Sequence, residues 1–394
     1  MSILAINGGN KIRERGWRGW PRFDDAVVDM VSESVRSGSW CRGQAVKDFE
    51  SLFADYIGTK YCLAVNGGGT IALYIALQAA GIRRGDEVII PPYTFIGTAT
   101  GIFMLGAEPI FADIDVDSYC LSPESFEKHI TNKTKAVIPV HVCGCPADME
   151  AIVDIANKHG IIVIEDDAHA HGTIYRNKHA GNLGHIGCFS CQQSKNLTCG
   201  DGGLITTNDE EWYKRMYAVH TVNRTLDGRD DAYDDIIGNN FRMTSMQAAL
   251  LSGQFDSFKM QSELRDRNSR YLYEELSKYG LEKVNRTADT TRHGSHIFAC
   301  RYNSGQFKGL AKGRFIEAIN AEGIPFTSGY GMLNKSKALS SRWIGYSYCV
   351  LPDAEKASNE SLWLSQYILL GDKNDMVDIA HAVEKVQYYV DELL

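Results

Sequence analysis

No apolar run in this 394-residue chain is long enough to cross a bilayer. The longest, such as "EVIIPP" at 87–92 and "IIVIED" at 161–166, have the length of strands. The opening stretch, "MSILAINGGNKIRERGWRGWP", lacks the apolar core of a signal peptide. No basic block offsets 49 acidic against 41 basic residues, and the net charge is −8. Neither a nucleic acid nor a membrane is therefore an expected partner. The ten cysteines lack the spacing of a disulfide framework. Cys143 and Cys145 stand too close together for a zinc pair, and no matching pair follows. Reduced thiols in a cytoplasmic protein are expected. Repeats, low-complexity tracts and flexible linkers are also missing.

What is there is the composition of an ordinary globular protein, 44% hydrophobic and 23% charged. The length favours one large and one small domain. Between 45 and about 215, amphipathic helical patterns alternate with short apolar runs. Strands are expected at "YCLAVN", "DEVIIPP", "EPIFADI", "KAVIPVH", "IIVIEDD", "CFSCQ" and "GGLITTN". Runs this apolar are buried on both faces, as in a mixed, mostly parallel sheet flanked by helices. Residues 227–235, "DGRDDAYDD", read as an exposed acidic loop, and 244–280 as a long helical stretch that Gly253 could interrupt. The expected organisation is an N-terminal arm (1–25), a large cofactor-binding domain (26–250), a connecting helix (251–280) and a small α/β domain (281–394).

Four short motifs carry chemistry. "NGGGT" at 66–70 lies between a strand and a helix. Its glycines let backbone N–H groups approach a ligand, and the helix end favours a phosphate, although an ordinary tight turn reads the same. It is neither a Walker loop nor a full dinucleotide fingerprint. "PPYTF" at 91–95 puts Phe95 at a strand's carboxyl end, where it is either a cleft aromatic or core. "VIEDDAHAHG" at 163–172 ends a strand with three carboxylates and two histidines. It reads as a metal site through His169 and His171, as a carboxylate for a cofactor's basic nitrogen, or as polar residues leaving the sheet. No further ligand cluster accompanies the histidines, and no metal is expected. "CFSCQQSKNLTCGDGG" at 188–203 holds one lysine, Lys195, among serine, cysteine and glycine. A walled-in lysine loses solvation of its ammonium form, and the neutral amine is a nucleophile towards an aldehyde. Phosphate cradle, aromatic stacker, carboxylate and such a lysine are together what pyridoxal 5'-phosphate requires.

In these motifs the chain resembles the DegT/DnrJ/EryC-type sugar aminotransferases of the aspartate-aminotransferase-like fold (fold type I). The likeness runs through Gly68-Gly69-Thr70-Ile71-Ala72-Leu73, Thr94-Phe95, Glu165 to Gly172, Ser190 to Gly203, and "GNNFRMT" at 238–244. It implies that Lys195 is the Schiff-base and proton-shuttling residue and that Asp166 pairs with the pyridine nitrogen. Phe95 would stack on the ring, and Gly69, Thr70 and Ser190 would hold the phosphate. Asn240 and Arg242 would reach the site of a neighbouring subunit, which implies a homodimer with shared active sites. The chain departs from the family at His169, where glutamine stands beside the phenolic oxygen, and at Gly68, where a serine hydroxyl is lost.

The N-terminal Gly-Gly and Trp-Pro elements resemble the branch of glutamine:scyllo-inosose aminotransferases and aminohydroxybenzoate synthases. The implied reaction is ping-pong transfer from L-glutamine or L-glutamate to a keto-sugar or keto-cyclitol. Aminohydroxybenzoate synthesis, sugar dehydration and a non-catalytic regulator are the alternatives; Lys195 speaks against dehydration, whose enzymes carry histidine there. No small-domain arginine among Arg292, Arg301 and Arg314 sits in a carboxylate-clamp motif. The donor carboxylate is expected on Arg242 of a partner chain, and the acceptor's hydroxyls on Thr327, Ser328, Tyr330 and Asn334 of "TSGYGMLNK", a stretch that reads equally well as a surface loop of the small domain.

Overall fold

A computed structural model describes residues 3–284, 286–340 and 349–394. Helices α1 (Asp25–Arg36) and α2 (Gln44–Ile57) precede β1 (Tyr61–Val65). Then α3 (Gly68–Ala79) leads to β2 (Glu87–Ile90), α4 (Gly97–Met104) to β3 (Glu108–Phe111), α5 (Pro123–Lys128) to β4 (Thr134–Val137), and α6 (Met149–His159) to β5 (Ile162–Asp166). The two-residue strands β6 (Ile174–Tyr175) and β7 (Lys178–His179) make a small hairpin before β8 (Ile186–Ser190) and β9 (Gly203–Thr207). Helices α7 (Glu210–His220) and α8 (Ser245–Leu276) complete this half.

The main sheet has the order β1-β9-β8-β5-β4-β2-β3. Its neighbours from β3 to β8 run parallel, and β9 is antiparallel to both β8 and β1. All seven strands are those expected from the apolar runs. β2, β8 and β9 are buried along their whole length, as strands covered on both faces must be. Helix α3 is apolar nearly all round because it packs on β8 and β9 while α4 and α7 cover its other side.

The second half holds β10 (Leu281–Lys283), β11 (Thr290–Arg292), β12 (Ile297–Tyr302), α9 (Lys312–Ala321), β13 (Thr327–Ser328) and β14 (Ser361–Ser365). An antiparallel sheet, β10-β12-β14-β13, packs with α9 and the C-terminal helix Lys373–Tyr388 around Phe298, Phe315 and Leu364. β11 instead pairs with β6, and this small sheet was not legible because strands of two or three residues show no period. Helix α8 starts at a capping box between Thr244 and Gln247 and runs 32 residues through Gly253 without the break that glycine suggested. At about 48 Å it packs against α1, α2 and the C-terminal helix, and so ties the two cores together. No helix among the described residues is long and apolar enough to cross a membrane.

The N-terminal arm is fastened at several points. Arg13 Nη1 donates to Asp375 Oδ1 (2.7 Å) and Asp378 Oδ2 (2.8 Å), and Trp17 Nε1 to the Gly323 carbonyl (3.0 Å). Trp20 Nε1 donates to the Gln193 carbonyl (2.9 Å), two residues from Lys195.

Candidate active site

The carboxyl ends of the parallel strands open on a cleft of about 1070 Å³. Asp166 is the last residue of β5 and Ser190 the last of β8. Strand alternation turns Asp166 into the cleft and sends Glu165 and Asp167 to the opposite face. Asp166 Oδ2 accepts from Thr98 Oγ1 (2.8 Å) and its Oδ1 from the Ala168 N–H (3.1 Å). Burial pushes the Asp166 pKa up, while these two donors and the charge of Lys195 oppose that rise.

Behind the strand, Glu165 accepts from the N–H groups of Gly181, Leu183 and Gly184 and from His141 Nε2 at 3.0 Å. Asp167 is fully buried there, and neither carboxyl oxygen has a hydrogen bond. Burial and the neighbouring Glu165 and Asp166 push its pKa up, and His141 Nε2 lies 3.5 Å from its Oδ1. His141, Glu165 and Asp167 are the one cluster of three potential metal ligands among the described residues. It differs from the His169 and His171 pair weighed from the sequence, and its Glu165 oxygens are already taken.

Lys195 sits in the turn after β8, its N–H bonded to the Gln192 carbonyl (2.8 Å). That loop is folded onto itself. Cys191 N–H reaches Gly202 O (2.7 Å), Gln193 N–H reaches Gly200 O (2.9 Å), and Thr198 Oγ1 reaches Cys191 O (3.0 Å). A Cβ on Gly202 would stand 2.7 Å from Cys199 Sγ and 3.0 Å from Met243 Cε, so the small residues around the lysine are what lets the loop close. Burial lowers the Lys195 pKa to about 8, against the opposing pull of Asp166.

Opposite, the turn into α3 runs through Gly67 (φ +83°) and Gly68 (φ +71°). The helix has no side-chain cap at Gly67, so its first N–H groups are open towards the cleft. A Cβ at Gly69 would lie 3.1 Å from Ser190 Cβ, and glycine there brings the helix end against β8. A Cβ at Gly68 would lie 3.0 Å from Asp201 Oδ1, in a backbone region that disfavours side chains. The family's serine is thus disfavoured by the conformation of this turn, while the exposed Asp201 side chain could give way. Phe95, 58% exposed, offers an unusually open aromatic face to the cleft.

His169 Nδ1 accepts from the Cys143 N–H (3.1 Å), which leaves the proton on Nε2, 3.4 Å from the Tyr330 hydroxyl. Burial, with Lys195 and His171 nearby, pushes its pKa well below the ordinary value, so His169 is a neutral donor. Tyr330 is held by Trp363 of β14 (ring centroids 4.6 Å apart) and by Tyr93, which follows β2 of the main sheet (6.0 Å).

Of the expected site residues, Lys195, Asp166, Gly69, Thr70, Phe95, His169, Ser190 and Tyr330 all line this one cleft. Asn240 and Arg242 do not. They lie beside β1, bonded to each other (Arg242 Nε to Asn240 Oδ1, 2.8 Å), with Asn240 exposed. Thr327 and Ser328 pair with β14 and Asn334 is buried, so only Tyr330 of that stretch reaches the cleft. Arg292 bonds Gly172 O and Tyr56, Arg301 pairs with Glu282 and Asp117, and Arg314 with Glu317. Trp17, Trp20, His296 and Gln366 also line the cleft, and Thr98 supports Asp166. Sequence reasoning gave none of these a place in the cleft: Trp20 entered only through the Trp-Pro element, and the others come from distant segments without a motif of their own.

The model of the DegT/DnrJ/EryC1/StrS aminotransferase family matches residues 21–384. An L-glutamine:2-deoxy-scyllo-inosose aminotransferase of Streptomyces kanamyceticus is 33% identical, over 98% of this chain and 97% of its own. The crystal structure of 3-amino-5-hydroxybenzoic acid synthase superposes with a TM-score of 0.87 at 28% identity, covering 95% of this chain and 99% of that one. An aminotransferase from Psychrobacter cryohalolentis gives 0.86 at 31%, covering 95% and 100%. The mixed sheet, the glycine turn and the cleft lysine thus belong to a fold type I enzyme, and the chain is a member of the DegT/DnrJ/EryC1/StrS aminotransferase family.

Proposed function

We propose that this aminotransferase uses pyridoxal 5'-phosphate to move an amino group from L-glutamine or L-glutamate to a keto-cyclitol of the scyllo-inosose kind, or to a keto-sugar. We infer further that it works in the cytoplasm as a homodimer with shared active sites. The observation that carries the reading is the convergence of Lys195, Asp166 and the open α3 N-terminus on one cleft. The residues fit the cofactor. The uncapped helix end with Gly69, Thr70 and Ser190 would take the phosphate, and the open face of Phe95 the ring. Asp166, held by Thr98 and Ala168, would pair with the ring nitrogen, and the Nε2–H of His169 would donate to the phenolic oxygen.

Pyridoxal phosphate supplies the aldehyde that receives the amino group and the electron sink for carbanion chemistry. Lys195 supplies the rest. With a pKa of about 8, roughly one molecule in four carries the neutral amine at pH 7.5, against about one in a thousand for an ordinary lysine. Its Nζ would take the proton from the donor's Cα and pass it to the cofactor's aldehyde-derived carbon, and would carry a proton the opposite way in the acceptor half-reaction. Tyr330, set against His169, faces substrate with a hydroxyl that both donates and accepts, as a polyhydroxylated ring requires. The names of relatives such as the Streptomyces kanamyceticus enzyme support a cyclic polyol ketone as acceptor.

The test loads the protein with pyridoxamine phosphate and offers keto-cyclitols, keto-sugars free and nucleotide-linked, oxaloacetate and pyruvate. Return of the pyridoxal absorbance band with a cyclic ketone is expected. Return with the simple keto acids alone would overturn the acceptor assignment.

A further inference from the structure

Lys195 is the one lysine or arginine lining the cleft among the described residues. An amino-acid donor brings a carboxylate that needs a partner, and Lys195 is committed elsewhere. Behind the cleft wall lies a second cation. Arg265 of α8 is fully buried and makes no ion pair among the described residues. Its Nε and Nη2 donate to Gln366 Oε1 (3.0 and 2.6 Å), and Nη2 also to Gln261 Oε1 (3.2 Å). Both acceptors are neutral amides. Nη1 is buried without a partner among the described residues. The Trp20 ring lies 5.2 Å from its Cζ, and the charge of Arg22 is near enough to disfavour it further. Burial and Arg22 lower the Arg265 pKa to about 9, which still leaves it charged at neutral pH. A buried charge without a counter-ion is costly and becomes favourable when an anion arrives.

Gln366 carries that charge to the cleft. Its amide oxygen is taken by Arg265, so its NH₂ faces the other way. Among the described residues it meets there only the Ser194 carbonyl at 3.5 Å, the outer limit of a hydrogen bond, one residue from Lys195. Gln366 lines the cleft beside Trp20 and His296. The glycine cradle and Ser190 already account for a phosphate, and this donor belongs to another anion.

We propose that the Gln366 amide binds the α-carboxylate of the amino-acid donor, with Arg265 behind it as a positioning residue whose charge Gln366 relays. This rests on the aminotransferase reading above and names the donor subsite in it.

The test separates the two half-reactions of the holoenzyme in wild type, Gln366→Glu, Gln366→Leu and Arg265→Met. Donor uptake is read with L-glutamine and acceptor uptake with a keto-cyclitol, which has no carboxylate. A second readout needs no turnover: binding of glutarate, a dicarboxylate without an amine, measured by calorimetry. The donor KM should rise by at least about tenfold more than any change in the acceptor KM, the scale of one hydrogen bond to a charged group. Gln366→Glu should be worst, because its carboxylate pairs with Arg265 and repels the donor. Glutarate should weaken by about tenfold or more in Gln366→Leu and Arg265→Met. Equal losses in both half-reactions, no loss, or unchanged glutarate binding would overturn the proposal. So would a donor defect in Arg242→Met with none in the Gln366 variants. If Arg265→Met does not fold, the two Gln366 variants decide. A wild type that transaminates nothing yet binds glutarate through Gln366 would sink the aminotransferase reading and leave the carboxylate subsite standing.

Discussion

Lys195 owes its chemistry to lost solvent. Burial outweighs the attraction of Asp166 and brings its pKa to about 8. Above that pH the amine is free, so the rate at which apoprotein takes up pyridoxal phosphate should rise with pH through about 8 and level off. A flat rate from pH 6.5 to 9 would contradict it. Lys195→Ala should abolish turnover while the phosphate and ring contacts still retain cofactor, measured by assay and by cofactor retained on gel filtration. The adjacent aspartates divide sharply. On the proposed pairing of Asp166 with the ring nitrogen, Asp166→Asn removes that charge and should cost about a hundredfold or more in kcat. Asp167 lies behind the strand and outside the cleft lining, burial pushes its pKa up, and asparagine has its shape. Asp167→Asn should stay within about tenfold of wild type. Equal effects would mean that the wrong carboxylate has been assigned.

At the scale of elements, glycines decide how closely pieces approach. Helix α8 runs past α1 at Gly253, where a Cβ would stand 3.0 Å from Val27 Cα and 3.1 Å from its Cγ2. Helix propensity alone would make Gly253→Ala stabilising by about 1 kcal/mol. Overpacking against α1 costs about 1–3 kcal/mol, so a lower Tm is expected, and a higher one would show that α1 yields easily. The helix was legible from its pattern. That Gly253 is a contact point rather than a break was not, because α1 reaches it from more than 200 residues away. The cradle turn behaves alike: its glycine motif was visible, but Ser190, against which a Cβ at Gly69 would stand at 3.1 Å, comes from β8, more than 100 residues on.

For the whole molecule, Asn240 and Arg242 lie outside the cleft of their own chain, as a residue serving a partner's site would. Mixing Lys195→Ala with an inactive Asn240→Ala variant should restore up to roughly a quarter of wild-type activity. Half of randomly mixed dimers then carry one intact site. No recovery after demonstrated subunit exchange, or a fully active monomer, would rule out shared sites.

The alternation of apolar runs and amphipathic helices by itself determined the sheet, since strands buried on both faces leave a compositional trace wherever they lie. The local motifs likewise marked Asp166, Lys195, Ser190 and the glycine turn, which the fold brings to one cleft, because each motif is written within a few residues. Tertiary structure alone decided the rest of the cleft. Trp20 comes from the arm, His296 from before β12, and Gln366 from beyond β14 with Arg265 of α8 at its back. Their roles depend on distances across the fold, and on the lost solvation of groups whose burial no nearby residue announces.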